Sequence, residues 1–331
     1  MSEVINLGMN TKAYRYRAST LRQSALRHTR MDRVGIGYAL VDNCTFREVC
    51  AAIIAHAKAG GGPAFVITAN AQHIVLLGRD RRLREIFDHA DLVVPDGISL
   101  LLAARLYGHS LQERVAGVDM FQTLCSLAAE NNLRVFLLGG RPNAAHLAAL
   151  ALKQRLPDLQ ISTYCPPPDF ATTAEGLEET AQAIRAAKPD LLFVSSGVPK
   201  QDYWIYEHGL QFSIPICVGV GGSFDVVAGI VRRAPLWIQT LGCEWLYRLC
   251  LEPRRLWRRY LIGNLEFASI VARQRIRRAF LDAFFSLVDK DSFAAELYEP
   301  DQRYKRMLVV DALIVTPGEM SESHPPDASA D

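Results

Sequence analysis

Between residues 34 and 230 two hydrophobic patterns alternate. Short strand-type runs fall at 64–68, 91–94, 134–138, 161–164, 191–194 and 215–220, mostly apolar except for the more polar 161–164. Between them lie longer stretches with apolar positions every three or four residues, near 45–59, 71–78, 81–89, 98–107, 118–131, 142–155, 172–188 and from about 200. Short continuous runs suit strands buried on both faces, and the longer period suits amphipathic helices. Local signals mark the ends. Thr45-Phe46-Arg47-Glu48 and Thr172-Thr173-Ala174-Glu175 read as capping boxes, Gly60-Gly61-Gly62 as a stop, and Pro142 as an early helical position. The alternation predicts an α/β fold, with a Rossmann-like, mostly parallel sheet covered by helices on both faces over 34–231.

In such sheets ligands bind beyond the carboxyl ends of the strands. The segments there are Thr68-Ala69-Asn70, Pro95-Asp96-Gly97, Gly139-Gly140-Arg141, Ser195 to Gln201 and Gly221 to Asp225. All five are small, polar or glycine-rich, and a parallel sheet gathers them on one rim. Glycine turns before helices suit a diphosphate, because free N–H groups point at the ligand. Taken singly, each turn is more commonly a packing feature. A dinucleotide fingerprint would need glycine at position 224, which holds Phe224. Asp96 is a candidate base or ribose ligand, with N-capping of the helix at 98–107 as the bland alternative. Asn70 and Thr68 suit an Asx-type turn equally well. His56, His73, His89 and His146 lie in helical stretches without a spaced partner and read as surface or packing residues.

Composition alters this picture at the two ends. The chain of 331 residues is half hydrophobic and carries a net charge of only +2, which excludes wholesale disorder and gives no footprint for nucleic acid. Residues 1–33 are basic and poor in apolar anchors and read as a mobile arm. Residues 232–278 hold eleven arginines against Glu244, Glu252 and Glu266, with Trp237, Trp245, Tyr247, Trp257, Tyr260 and Phe267 among them. That mixture predicts a helical appendage over 232–290 that suits an anionic membrane surface or nucleic acid, with a solvated helix face as the bland alternative that the aromatics weaken. Residues 291–331 read as an extension with a disordered tail. No stretch suits a membrane span, because 212–231 is broken by Asp225, glycines and Pro215. Seven cysteines without metal-ligand spacing read as reduced thiols, and no metal site is expected.

The ordered segments Thr68-Ala69-Asn70, Asp91 to Gly97, Glu113 to Asp119, Val135 to Gly140, Gly197 to Asp202, Val218 to Gly229, Arg233-Ala234-Pro235 and Glu244 to Arg255 resemble the WecG/TagA/CpsF glycosyltransferases. The resemblance spans roughly 34–265 and is specific through the order of its segments. It implies an inverting, metal-independent transferase without a cofactor. Such an enzyme moves a sugar from a UDP-sugar to a polyprenyl-diphosphate-linked sugar in surface-polysaccharide assembly, attached peripherally to the inner face of the cell membrane.

The resemblance makes Asp96 the general base, with Thr68 and Asn70 lining the reaction pocket. It places Arg114 and Gln201 against donor or acceptor sugar, and Arg248, Arg255 and Arg258 over the site as diphosphate ligands. Gly139, Gly140, Gly197, Lys200 and Gly221 complete the expected substrate-binding rim. Gln72 and Asp202 stand where glutamates are expected. A homo-oligomer is left open. Two competing readings are a Rossmann-type nucleotide-binding oxidoreductase and a non-enzymatic basic adaptor.

Overall fold

Five of the six runs become strands buried on both sides, and the sixth, at 160–164, becomes a partly exposed edge strand. In the computed structural model these strands are β3 (Ala64–Ala69), β4 (Leu92–Pro95), β5 (Arg134–Gly139), β6 (Gln160–Tyr164), β7 (Leu191–Ser195) and β8 (Ile216–Gly219). The structure describes residues 32–167 and 173–287, the last seven by backbone alone. The strands form one parallel sheet in the order β4-β3-β8-β7-β5-β6. Register pairs Ala69 with Pro95, Gly139 with Ser195, and Val194 with Gly219, so the strand ends are level. Connections from β5 and β7 leave in opposite directions, which opens a crevice between their carboxyl ends.

Alternate residues feed two cores. On one face Phe65, Ile67, Phe136, Leu138, Leu192 and Val194 meet α2 (Ala71–Leu77), α3 (Arg81–His89), α4 (Ile98–Leu106) and α8 (Lys200–Glu207). On the other, Val66, Leu92, Leu137, Phe193 and Val218 meet α1 (Phe46–Lys58), α5 (Gly117–Glu130), α6 (Ala144–Arg155) and α9 (Ser223–Val227). Phe193 of β7 stands edge-on to Phe121 of α5 at 4.9 Å, and Phe121 meets Phe224 of α9 at 5.3 Å. This aromatic trio seats two helices whose first turns border the rim. Helix α7 (Ala174–Ala187) adds Ile184 to the first core.

Several local expectations are corrected. The helix expected to include Pro142 starts at Ala144, after a left-handed Asn143. The second capping box shifts by one residue: Thr173, not Thr172, is the N-cap, and it accepts from the Gly176 N–H. Thr172 lies outside the described residues. An antiparallel hairpin, β1 (Arg33–Ile36) and β2 (Ala39–Asp42), was not anticipated. Buried Asp42 joins it to the sheet edge, accepting from Arg33 Nε and the Val93 N–H, both at 2.7 Å. The expected basic arm lies outside the described residues apart from Asp32 and Arg33, and so do 291–331.

After β8 come α10 (Leu236–Thr240), α11 (Glu244–Leu251), α12 (Pro253–Trp257), a π-type turn (Arg258–Ile262) and α13 (Gly263–Leu287). Glu252-Pro253 breaks the helical path, Glu252 being the C-cap of α11 and Pro253 the first residue of α12. Phe267 and Val271 of α13 enter the first core. The chain divides into two compact units between Arg275 and Ile276, and only α13 to Leu287 is described in the second. No helix among the described residues is long and apolar enough to cross a membrane. Cys44, Cys50, Cys125 and Cys217 are buried free thiols, and burial pushes Cys44 and Cys50 up to about 12.

Phe193→Ala would leave a cavity under both α5 and α9, and a loss of about 3–5 kcal/mol is expected in denaturant unfolding. A loss below about 1 kcal/mol would show that the trio does not support the rim.

Candidate active site

Asp96 follows β4 directly, but it does not cap the helix that comes next. The N-cap of α4 is Gly97, without a side-chain cap bond. Asp96 Oδ1 instead accepts the N–H of Gly117, the first residue of α5, at 2.7 Å. The bland reading of Asp96 as its own helix's cap is therefore set aside. The start of α5 also offers the positive end of a fourteen-residue helix dipole. Among the described residues Oδ2 makes no hydrogen bond and is available to a ligand. Desolvation dominates its acidity and raises the carboxyl above its ordinary value. The Gly117 N–H, Arg248 and Arg114 pull down, and Glu244 pushes up.

Thr68 and Asn70 bracket the end of β3. Buried Thr68 donates through Oγ1 to the Gly219 carbonyl at 2.8 Å, fastening β3 to β8. A Cβ on Gly117 would meet Thr68 Cγ2 at 3.4 Å, so α5 starts directly against this threonine. Asn70 caps α2, its Oδ1 accepting from the Gln72 and His73 N–H groups at 3.0 and 3.4 Å. The Asx-turn reading therefore describes its oxygen, and its amide nitrogen is left for other contacts.

Behind Asn70 lies a pair that the sequence did not disclose. His73 and Asp202 are both fully buried, with Nε2 and Oδ2 at 3.2 Å. His73 Nδ1 accepts the Asn70 N–H, so Nε2 carries the proton donated to Asp202. A histidine and an aspartate 129 residues apart carry no local signal. Gln201, beside Asp202, is also buried. Its Oε1 accepts the Gly221 N–H at 2.9 Å, and its amide nitrogen occupies the space a Cβ on Gly219 would need. Here Gln201 braces the turn after β8.

The glycine turns are laced together beside the β5–β7 crevice. Gly139, Gly140, Gly197 and Gly221 all have positive φ, at 87°, 91°, 75° and 55°. Gly140 N–H donates to the Ser195 carbonyl at 2.6 Å, and Ser195 Oγ donates to the Gly221 carbonyl at 2.5 Å. A Cβ on Gly140 would press on Ala144 and Phe224 at 3.2 and 3.3 Å. Lys200 opens α8 and is exposed.

The arginines separate into groups. Arg114 reaches Glu244 at 3.7 Å, and Arg248 reaches the same glutamate at 3.1 Å. Arg255 pairs with Glu252, whereas Arg258 lies over the Trp257 ring at 5.3 Å. The three appendage arginines thus do not share one partner. Sequence reasoning passed over three others. Arg233 makes a two-pronged contact with Asp119 at 2.5 and 2.7 Å. Arg141 reaches Glu252 at 2.5 Å and Asp225 at 3.1 Å. Arg259 is exposed and lies over the Tyr260 ring at 5.6 Å. The signal for Arg141 was its place directly after Gly139-Gly140.

A carboxylate at a strand end, amid arginines and glycine turns, supplies the residue types that displacing an anionic leaving group requires. Residues 34–280 match the Glycosyl transferase WecG/TagA/CpsF family. The chain belongs to this glycosyltransferase family. It is 34% identical over 212 residues to the N-acetylglucosaminyldiphosphoundecaprenol N-acetyl-beta-D-mannosaminyltransferase of Bacillus spizizenii, covering 64% of this chain and 80% of that protein. The enzyme of the same name from Bacillus subtilis is 32% identical over 217 residues, covering 66% and 82%. That from Staphylococcus aureus is 30% identical over 215 residues, covering 65% and 83%. Membership in a glycosyltransferase family sets aside the oxidoreductase and adaptor readings.

Asp96→Asn is expected to lower transfer by about 10²–10⁴, the range for a general base. Because the folded carboxyl is raised, its ionised form costs folding free energy above its folded pKa. The amide removes that cost, so the variant's Tm at pH 7 is expected to match or exceed the parent's. Near-parental turnover in the folded variant would end the assignment.

Proposed function

We propose that this glycosyltransferase transfers an N-acetylmannosamine-type sugar from its UDP derivative to a polyprenyl-diphosphate-linked N-acetylglucosamine, with inversion. The observation that carries the reading is the Asp96 carboxylate, drawn away from its own helix and left with one oxygen open beside Arg114 and Arg248. The relatives, named for N-acetyl-beta-D-mannosaminyl transfer, support the sugar and acceptor class.

In a single displacement Asp96 takes the proton from the acceptor hydroxyl as its oxygen bonds to the anomeric carbon. The bond from that carbon to the donor phosphate oxygen breaks, and its electron pair leaves with UDP. An α-linked donor then gives a β-linked product. Fixed positive charge near the departing diphosphate stabilises the transition state. Arg114 and Arg248 are assigned this role here, so no metal is required.

The lipid acceptor fits the exposed face of the appendage. Leu236, Trp237, Leu241 and Leu265 are 76%, 65%, 68% and 73% exposed, and arginines lie nearby in sequence. Aromatic and leucine side chains enter a headgroup layer, and each arginine near an anionic leaflet contributes about 1 kcal/mol. We place the enzyme on the inner face of the membrane on this basis.

The test combines the full chain, UDP-N-acetylmannosamine and a short-chain polyprenyl-diphosphate N-acetylglucosamine. UDP release with a β-linked disaccharide product is expected, unchanged by EDTA. Release of no UDP from any sugar nucleotide would refute the reading, and EDTA inhibition reversed by magnesium would refute its metal-free step. In a second assay the chain should bind phosphatidylglycerol vesicles and lose that binding in high salt. Equal binding to neutral vesicles would contradict the membrane assignment.

A further inference from the structure

Helices α10 and α11 bury no residue at all. Leu236, Trp237, Trp245, Leu246 and Leu251 are exposed and Leu249 is only half-buried, so burial of apolar side chains does not by itself explain why α11 lies on the rim. What remains is polar, and it sits at the two ends of the helix. Glu244, its first residue, meets Arg114 of the core at 3.7 Å and Arg248 of the appendage at 3.1 Å. Glu252, its C-cap, meets Arg141 of the core at 2.5 Å and Arg255 of the appendage. Each glutamate therefore holds one arginine from each side. Eight residues of helix set the two clusters about 12 Å apart. One cluster lies by Asp96. The other lies at the turn after β5, beside the crevice where connections diverge.

We propose that Glu244 and Glu252 are positioning residues, which pin α11 across the rim and hold Arg114, Arg248, Arg141 and Arg255 in place for the phosphate groups of the substrates. The proposal rests on the transferase reading for its substrates, but not for the pinning. Other features agree with pinning. The pairs hold Glu252 below the usual carboxylate range, through Arg255 first and Arg141 next. Gly242, just before α11, lies so close to Ile98 that a Cβ would stand 2.7 Å from its Cγ2, which fixes the approach of the helix. Asp225 takes the remaining side of Arg141 and fixes it to α9. The arginines thus have defined directions before any ligand arrives, which lowers the ordering cost of binding.

The test uses full-length Glu244→Gln, Glu252→Gln and Glu252→Asp. Glutamine keeps the reach and loses the charge, whereas aspartate keeps the charge at shorter reach. Hydrogen exchange is followed over 244–257 without substrate, and KM and kcat are measured with the lipid-linked acceptor and UDP-sugar. Both glutamine variants are expected to exchange at least about fivefold faster in that segment, with strands β3 to β8 unchanged. KM for a diphosphate substrate should rise at least about fivefold, with a smaller change in kcat, and Glu252→Asp should recover part of both effects. Parental exchange in the glutamine variants would overturn the pinning. Faster exchange with parental KM for both substrates would overturn the positioning role. The exchange arm needs no substrate, so a failure of the transferase reading is separable from a failure of the pins.

Discussion

Six strands that all run the same way must send every connection back over a face of the sheet. That constraint brings the ends of β3, β4, β5, β7 and β8 to one rim. The rim then needs local bonds, since five loops opening together carry many unpaired backbone groups. Thr68 takes the Gly219 carbonyl, Asp96 the Gly117 N–H, Gln201 the Gly221 N–H, and Gly140 the Ser195 carbonyl. Each bond joins the end of one strand, helix or turn to another. The residues expected to do chemistry are therefore also the ones that hold the rim together.

Charge at this rim is balanced across segments. Asp96 is desolvated, with Arg114 and Arg248 on one side of the balance and Glu244 on the other. A carboxylate raised by burial is a stronger base than an exposed one. Too much nearby positive charge would undo that gain, and Glu244 offsets it.

Much of this was legible in the sequence because the signals are local. The six strand-type runs became the six strands, five of them buried, and Thr45 with Glu48 formed the capping box. Asp96 was legible as a candidate base beside its alternative as a cap of the next helix, and the Gly117 contact removed only that alternative. The hairpin at 33–42 was missed because four-residue strands with Gly35 and Gly37 give too short an alternation. His73 with Asp202, Arg141 with Glu252 and Arg233 with Asp119 were missed for another reason. Their partners are over a hundred residues away, and no periodicity reports such distances. Thr172 against Thr173 is a smaller failure, since adjacent threonines compete for one cap.

The central claim is that Asp96 acts as a base whose affinity for protons is raised by its surroundings. The most direct measurement is the pH dependence of kcat in the parent and in Asp96→Asn. A base must be unprotonated, so the parent rate should fall as pH drops through the Asp96 pKa. Desolvation raises that pKa, so the acid limb should lie above the ordinary aspartate value of about 3.9. The residual rate of Asp96→Asn should lack this limb. An acid limb that persists unchanged in Asp96→Asn would contradict the account.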